Sequence, residues 1–290
     1  MSGLLAGLLL AGCAAPVSDR LMITTAPNGA REEIPVTVSK PAGPGPFPAV
    51  VIMHDCSGLG PRSSGAPGRW AGELGARGYV TLIPDSFTTR GYPDGVCTDA
   101  SPSRGEVAAS RRVHDAYAAL AHARALPYVD GRRVGLMGGS HGGSTTLGSM
   151  AEPQNAWDPL AREKRSGFAA AVALYPRCAV TLGTWRADGT GTYRSMAPLL
   201  ILIGEKDDWT PAAPCVKLAA STQATEQPVA ITVYPGAHHS FDSDRPVRYV
   251  AARVNSSAPG GRGATTGGNA AAWADSIRRV VAFFGERLKP

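Results

Sequence analysis

Three short segments carry the side chains that nucleophilic catalysis requires: a hydroxyl, a carboxylate and an imidazole. Ser140 lies among glycines, Asp207 follows one apolar run, and His239 follows the next one. A serine hydroxyl becomes a nucleophile when an imidazole takes its proton, and the imidazole needs a carboxylate to fix its tautomer. The types and the order of these residues therefore predict a Ser–Asp–His triad that attacks a carbonyl carbon.

The residues around Ser140 predict a sharp turn from a strand into a helix. An apolar run at residues 134–137 is followed by GGSHG at residues 138–142, which has the pattern G-x-S-x-G. In such a turn the serine backbone is strained, and only residues without a bulky Cβ substituent fit two places before and after it. The helix that follows directs its N-terminal N–H groups at the place where an oxyanion forms.

Apolar runs alternate with amphipathic segments along most of the chain. Strands are expected near residues 34–39, 47–53, 79–83, 134–137, 168–175, 198–203 and 229–234, and helices near residues 70–77, 106–124, 211–224 and 270–288. This alternation predicts an α/β fold with a mostly parallel central sheet and helices on both of its faces. Because ligands collect at the carboxyl ends of parallel strands, the three catalytic segments are expected to meet at that edge.

Four motifs together resemble the dienelactone hydrolase family of α/β-hydrolases, from about residue 34 onward. They are HDCSGL at residues 54–59, the GGSHG turn, GEKDDWTP at residues 204–211 and YPGAHHSF at residues 234–241. The resemblance implies the α/β-hydrolase fold. Dienelactone hydrolases proper carry cysteine at the turn, whereas this chain carries Ser140, which favours the broader branch of serine esterases.

The resemblance also implies roles for single residues in the acid and histidine motifs. In the family the acid lies four residues before a proline, which selects Asp207 over Asp208. The base is the histidine of His-x-Phe, which selects His239 over His238. Asp208 is expected to face solvent or a nearby backbone N–H, and His238 is interpreted as structural.

The oxyanion is expected to be held by two backbone N–H groups. One belongs to His141, the residue after the nucleophile, and the other to Cys56, in the loop after the strand at residues 47–53. His54 and Asp55 are interpreted as shaping that loop. The His141 side chain is expected at the surface or behind the site, while Trp209 either lines the pocket or covers the acid loop.

These assignments predict a serine hydrolase that cleaves carboxylic esters, and lactones as a further class, through an acyl-enzyme on Ser140. The mechanism needs no metal and no organic cofactor, and the partner is a small-molecule ester or lactone. Two alternatives remain open. The chain could be a non-catalytic surface lipoprotein that uses the fold for binding, or a peptidase or acyltransferase on the same fold.

Four cysteines, in addition to Cys13, predict two disulfide bonds. The even number fits an exported protein, although the sequence alone permits three connectivities. Cys56 and Cys97 both follow strands at the carboxyl edge, as do Cys178 and Cys215, so we pair Cys56 with Cys97 and Cys178 with Cys215. A role for Cys56 as nucleophile is disfavoured because it lacks the strand–helix turn.

The N-terminus predicts export. Residues 1–12 form an uncharged apolar run that is too short to span a bilayer and is typical of a signal peptide. The sequence LAGC at residues 10–13 resembles a bacterial lipobox, which makes Cys13 the expected lipidation site and the only membrane contact; a simple cleavable signal is the alternative. Residues 13–30 are expected to be a tether with little structure, and residues 31–290 one domain. The protein is then periplasmic or a membrane-anchored lipoprotein.

Composition supports one globular enzyme rather than a nucleic-acid-binding protein. The chain is 43% hydrophobic and 18% charged, and its net charge of +6 is scattered without a basic cluster interleaved with aromatic residues. One segment, residues 242–269, is long and without periodicity. Such segments are usually functional, so we expect it to pack beside the active-site mouth and limit substrate size.

Overall fold

The structure is a computed structural model that describes residues 17–99, 101, 105–153 and 160–289. The expected signal peptide and the expected lipidation site at Cys13 lie outside the described residues. Within the described part, no helix combines the length and the apolar character needed to cross a bilayer.

The centre of the molecule is an eight-stranded sheet. Its strands are β1 (Val17–Thr25), β2 (Glu32–Lys40), β3 (Phe47–Met53), β4 (Val80–Pro84), β5 (Val129–Gly139), β6 (Ala170–Leu174), β7 (Leu199–Gly204) and β8 (Ala230–Tyr234), in the order β1-β2-β4-β3-β5-β6-β7-β8. The pairs β1–β2 and β2–β4 are antiparallel, and every other pair is parallel. The prediction of an α/β fold with a mostly parallel sheet is confirmed.

Helices cover the sheet and hide its central strands. They are α1 (Ala66–Gly75), α2 (Ala109–Ala125), α3 (His141–Met150), α4 (Ala161–Arg165), α5 (Ala212–Ser221) and α6 (Ala270–Leu288). Every residue of β6 and of β7 is buried. Since successive side chains of a strand point to opposite faces, both faces of these strands are covered, which is why they are continuous apolar runs without alternation.

Strand β1 corrects the expectation of an unstructured tether at residues 13–30. All nine residues of β1 lie opposite residues of β2 in an antiparallel pair. Among residues 18–25 only Ile23 and Thr25 are buried, whereas Leu21 and Met22 are 41% and 53% exposed. The strand is an edge strand held mainly by backbone hydrogen bonds, so its sequence has no alternation of apolar and polar residues by which it could be recognised.

A second, two-stranded sheet lies within residues 242–269, where no periodicity was seen. It is a hairpin of β9 (Arg248–Val254) and β10 (Arg262–Thr266). Most residues of β9 are exposed or half-buried, which removes the alternation. The hairpin is tied to the acid loop because the Asn255 amide donates to the Asp208 carbonyl at 2.9 Å and the Trp209 indole N–H donates to the Val254 carbonyl at 2.7 Å.

Two disulfide bonds join Cys56 to Cys97 and Cys178 to Cys215, the same pairs that were expected from the sequence. The first bond fixes the loop after β3. The second connects the loop after β6 to α5, the helix that follows the acid loop. Both bonds therefore lie at the carboxyl edge of the sheet, around the place where the catalytic segments meet.

Candidate active site

Ser140 occupies a strained turn between β5 and α3. Its backbone angles are φ 53° and ψ −113°, a conformation that side-chain-bearing residues rarely adopt. A Cβ atom on Gly142 would lie 2.1 Å from the Met53 carbonyl oxygen, and one on Gly138 would lie 2.4 Å from the Gly142 carbonyl oxygen. The two glycines let α3 begin directly against β5 and β3, and this close packing raises the serine above the end of the sheet.

The structure brings Ser140, His239 and Asp207 into one hydrogen-bonded row. His239 Nε2 lies 2.9 Å from Ser140 Oγ, and His239 Nδ1 lies 2.8 Å from Asp207 Oδ2. All three residues are buried, His239 and Asp207 being 1% and 4% exposed. Each comes from a loop after a different strand, β5, β7 and β8, so the parallel order of those strands creates the arrangement.

The acid loop after β7 separates the two neighbouring carboxylates. Asp207 Oδ1 accepts hydrogen bonds from the backbone N–H groups of Trp209 and Thr210 at 3.0 and 2.8 Å, which leaves Oδ2 to face the imidazole. Asp208 turns to the hairpin and accepts from the N–H and the hydroxyl of Thr265 at 2.8 and 2.7 Å. The hairpin thus holds Asp208 away from His239.

The backbone N–H groups of Cys56 and His141 lie at the ends of the two segments that flank Ser140. In the part of the chain that the structure describes, neither N–H donates to a protein acceptor. Cys56 is fixed by its disulfide bond and by its carbonyl, which accepts from Val96 N–H at 2.7 Å. Both residues line the cavity beside Ser140.

His54 and Asp55 are occupied in shaping the loop after β3. His54 is fully buried, its Nδ1 lies 2.8 Å from the Asp55 carbonyl oxygen, and its Nε2 accepts from Ser86 N–H at 3.2 Å. Burial, reinforced by the charge of Arg112, lowers the pKa of His54 well below its usual value. The Asp55 carboxylate accepts hydrogen bonds from the hydroxyl groups of Ser57 and Ser64, each at 2.5 Å.

The His141 ring points away from Ser140 toward Arg112, a residue that the sequence did not single out. Arg112 donates to His141 Nδ1 at 2.7 Å. Burial, with the neighbouring charge of Arg112, lowers the pKa of His141 to about 3, so the ring is neutral at ordinary pH. In the sequence, Arg112 is one of several arginines in an amphipathic helix, and no spacing distinguishes it from those that face solvent.

Two pockets meet at Ser140. The first, here the arginine pocket, also contains His239 and is lined by Arg62, Arg245, Arg248 and Arg253. The second pocket contains His141 but not His239, and its walls include Val96, Ser144, Arg177, Thr210 and Val254. Cys56, Cys97 and Trp209 form the wall that both pockets share, so Trp209 lines the site as well as covering the acid loop.

The arginine pocket is lined by four guanidinium groups and one carboxylate, that of Asp55, so its charged side chains are predominantly positive. Among the described residues, none of its four guanidinium groups has a carboxylate partner within 4.0 Å. Arg253 is half-buried and lies 5.2 Å from the Trp209 ring, and burial together with Arg248 and Arg245 lowers its pKa. No group of three His, Cys, Asp or Glu side chains in the described part of the chain is placed to hold a metal ion.

Sheet order, strained turn and the Ser–His–Asp row define an α/β-hydrolase. The model of the dienelactone hydrolase family matches residues 34–288, and the chain belongs to this family. The resemblance seen in the four sequence motifs is therefore confirmed, and the chain is a hydrolase. None of the curated proteins matches the chain.

Three solved structures with the same fold have low sequence identity to this chain. A candidate dienelactone hydrolase from Klebsiella pneumoniae subsp. pneumoniae MGH 78578 has 19% identity and a TM-score of 0.66, covering 93% of this chain and 99% of its own. A dienelactone hydrolase-like promiscuous phosphotriesterase from metagenomic libraries has 18% identity and a TM-score of 0.61, covering 93% and 98%. Thermogutta terrifontis esterase 2, phosphorylated by paraoxon, has 17% identity and a TM-score of 0.65, covering 94% and 96%.

Proposed function

We propose that the chain is a serine hydrolase that cleaves carboxylic esters through an acyl-enzyme on Ser140. One observation carries the proposal: the row of hydrogen bonds from Ser140 Oγ through His239 to Asp207, with distances of 2.9 and 2.8 Å. An imidazole bonded in this way can take the hydroxyl proton during attack, and the buried carboxylate stabilises the imidazolium that results.

The reaction proceeds in two halves. Ser140 Oγ attacks the ester carbonyl carbon while His239 Nε2 takes its proton, and the tetrahedral oxyanion accepts hydrogen bonds from the N–H groups of Cys56 and His141. Each such donor is worth about 3 kcal/mol in comparable sites. His239 then protonates the leaving alkoxide as the carbon–oxygen bond breaks. Water, deprotonated by His239, attacks the acyl-enzyme and releases the acid.

The two pockets divide the substrate. The leaving group must lie next to the imidazole that protonates it, and His239 lines the arginine pocket but not the second pocket. The alcohol portion therefore occupies the arginine pocket, and the acyl portion occupies the second pocket. Because four guanidinium groups there lack carboxylate partners, an alcohol portion that carries a negative charge is favoured. A lactone would have to span both pockets with one ring.

The test of the nucleophile is hydrolysis of 4-nitrophenyl acetate by wild-type protein and by Ser140→Ala. We expect a loss of about 10³-fold or more in kcat, because the hydroxyl supplies the covalent step. A fluorophosphonate probe should add to Ser140 of the wild type, as read by peptide mass spectrometry. Equal hydrolysis by both proteins contradicts the proposal. Formation of new esters with added alcohols would indicate that the protein is an acyltransferase instead.

The test of the arginine pocket is a pair of acetates whose alcohol portions differ in charge, 4-nitrophenyl acetate and its 3-carboxy analogue. Wild type should have the higher kcat/KM on the anionic ester, and Arg248→Gln with Arg253→Gln should lower that value about tenfold while changing the neutral ester little. Added salt should reduce the difference. An unchanged ratio in the double variant excludes these arginines from substrate recognition.

We also propose that the protein is exported and anchored through a lipid on Cys13. The two disulfide bonds support export because such bonds persist in oxidising compartments. Metabolic labelling with a palmitate analogue tests the anchor. Label should be incorporated by the wild type and lost in Cys13→Ser, and a mature N-terminus elsewhere would favour a simple cleavable signal.

A further inference from the structure

Arg112 lies behind the candidate active site and contacts two of its segments at once. The residue belongs to α2 and is fully buried. One guanidinium nitrogen, Nη2, donates to the His54 carbonyl oxygen at 2.7 Å, and the other, Nη1, donates to His141 Nδ1 at 2.7 Å. The guanidinium also lies over the Phe87 ring, 5.0 Å from its centre.

Within the described part of the chain, the Arg112 guanidinium forms no close ion pair with a carboxylate, although the charges of Asp115, Asp55 and Asp85 act on it from further away. Asp115, one turn further along α2, is bound by both terminal nitrogens of Arg90 at 2.7 and 2.8 Å. Among the described residues, no carboxylate oxygen lies within 4.0 Å of the Arg112 guanidinium. Burial lowers the pKa of Arg112 to about 10, which leaves the group charged at neutral pH. An unpaired buried charge is costly to the folded state, and ordinary packing does not explain why it is retained.

The two bonds of Arg112 end on the two segments that carry the oxyanion donors. His54 lies two residues before Cys56 in the loop after β3, and His141 is itself the second donor residue. A guanidinium is planar and rigid, and its two terminal nitrogens have a fixed separation. Arg112 therefore determines how far apart these two segments lie and how each is oriented.

We propose that Arg112 is a positioning residue for the oxyanion hole, which it holds in shape by bridging the His54 carbonyl and the His141 ring. The inference rests on the proposed function, since it concerns the oxyanion of that reaction. As the carbonyl oxygen becomes negative, the nearby charge of Arg112, which forms no close ion pair, also stabilises it, more strongly in a dry interior than in water. Arg112 touches neither Ser140 nor the substrate and acts through the donor segments.

The kinetic test compares Arg112→Met, which removes charge and bonds at similar size, with Arg112→Lys, which keeps the charge but not the bridge. On 4-nitrophenyl acetate we expect Arg112→Met to lower kcat about 10²-fold with KM within about twofold, as when an oxyanion donor is lost. Arg112→Lys should lose about tenfold. The matched control is Arg124→Met on the same helix, where Arg124 donates to the Gly131 and Gly167 carbonyls, both at 2.9 Å, and activity should stay near wild type.

A second measurement separates positioning from general loss of structure. A trifluoromethyl ketone forms an oxyanion on the serine, so its affinity should fall in parallel with kcat/KM across the Arg112 variants, while the affinity for the product acid should stay constant. Folded Arg112→Lys or Arg112→Met protein with activity within threefold of wild type overturns the proposal. So does a loss that appears only in KM.

The contact itself can be tested without turnover. In wild-type protein, NMR of labelled histidine should find the His141 ring neutral and unprotonated at Nδ1 down to low pH. In Arg112→Met the ring should titrate nearer its ordinary pKa, and an unchanged titration contradicts the bridge. Failure of the proposed function is recognised separately, because Ser140→Ala would then hydrolyse the ester as fast as wild type.

Discussion

Asp207 and Asp208 are neighbours in the loop after β7, but their carboxylates bind different partners. Asp207 faces His239, and its second oxygen is satisfied by two backbone N–H groups of its own loop. Asp208 bonds to the N–H and hydroxyl of Thr265 in the hairpin. One carboxylate thus holds the His239 ring by a hydrogen bond, while the other attaches a surface element to the acid loop.

Replacing each carboxylate by its amide distinguishes the two roles. We expect Asp207→Asn to lower kcat about 10⁴-fold, because an amide stabilises the wrong imidazole tautomer and no imidazolium. Asp208→Asn should lose less than about tenfold, or about 1.4 kcal/mol of barrier. Parallel kcat measurements on the two variants check this. A larger loss in Asp208→Asn would mean that the triad acid is assigned one residue too early.

His141 links stability to pH. Its pKa is lowered to about 3 in the folded protein by burial and by Arg112, against about 6.5 for a histidine in an unfolded chain. Between these values the unfolded chain binds a proton that the folded protein does not. The free energy of unfolding therefore falls as pH falls from about 6.5 toward 3, by up to about 1.4 kcal/mol per pH unit for this group.

The variant His141→Asn isolates that contribution because Asn keeps an acceptor near Arg112 but does not titrate. Urea unfolding between pH 6.5 and 4.5 should give a steeper loss of stability in wild type than in the variant, by up to about 1.4 kcal/mol per pH unit. Parallel curves would mean that the folded protein protonates His141 as readily as the unfolded chain does.

At the scale of elements, the hairpin of β9 and β10 supplies side chains to both pockets at Ser140. Arg248 and Arg253 line the arginine pocket, and Val254 and Ser256 line the second pocket. The hairpin is not part of the main sheet, so the hairpin can be shortened without removing a strand of that sheet. We therefore expect these side chains to limit the length of substrate that the second pocket accepts.

We expect a variant with residues 249–264 replaced by a short Gly-Ser linker to accept longer acyl chains. Its ratio of kcat/KM for 4-nitrophenyl octanoate over the acetate should rise about tenfold, because removal of one or two methylene-sized contacts is worth roughly 1–3 kcal/mol. Thr265 is retained, so Asp208 keeps its partner. An unchanged ratio in a folded variant would show that the hairpin does not limit substrate size.

The elements that could be predicted from the sequence are those whose burial requires a recognisable pattern of apolar residues. β3 and α6 were expected at residues 47–53 and 270–288 and lie there, because β3 is buried from its second residue onward and α6 is buried on one face. β1 and the hairpin were missed since exposed strands held by backbone bonds need no apolar period. The Ser140 turn was found through its glycines, whereas Arg112 gave no signal, because burial of a charge depends on contacts distant in sequence.

At the scale of the whole molecule, the two disulfide bonds form a matched pair. They close segments of similar length, with sequence separations of 41 and 37 residues. The entropy lost by the unfolded chain is therefore nearly the same for both. Their surroundings differ, since Cys56 carries an expected oxyanion donor and Cys215 lies in α5, behind the acid loop.

Removal of each bond by paired serine substitutions should separate stability from catalysis. Both variants should lose about 2–4 kcal/mol in the free energy of unfolding. Only the Cys56/Cys97 variant should also lose about tenfold or more in kcat at a temperature where both are folded, because the Cys56 N–H is then less firmly placed. Equal kcat in the two variants would mean that the loop holds its shape without the bond.

The Cys56–Cys97 bond also affects the stage after synthesis at which the enzyme becomes active. The hydrogen bonds of the triad require no oxidation, so a newly made chain with free thiols can assemble Ser140, His239 and Asp207. We expect the loop after β3 and the wall shared by the two pockets to become fixed only when the bond closes. Full hydrolase activity should then arrive after the chain reaches an oxidising compartment, so that the cell interior where it is synthesised is not exposed to that activity.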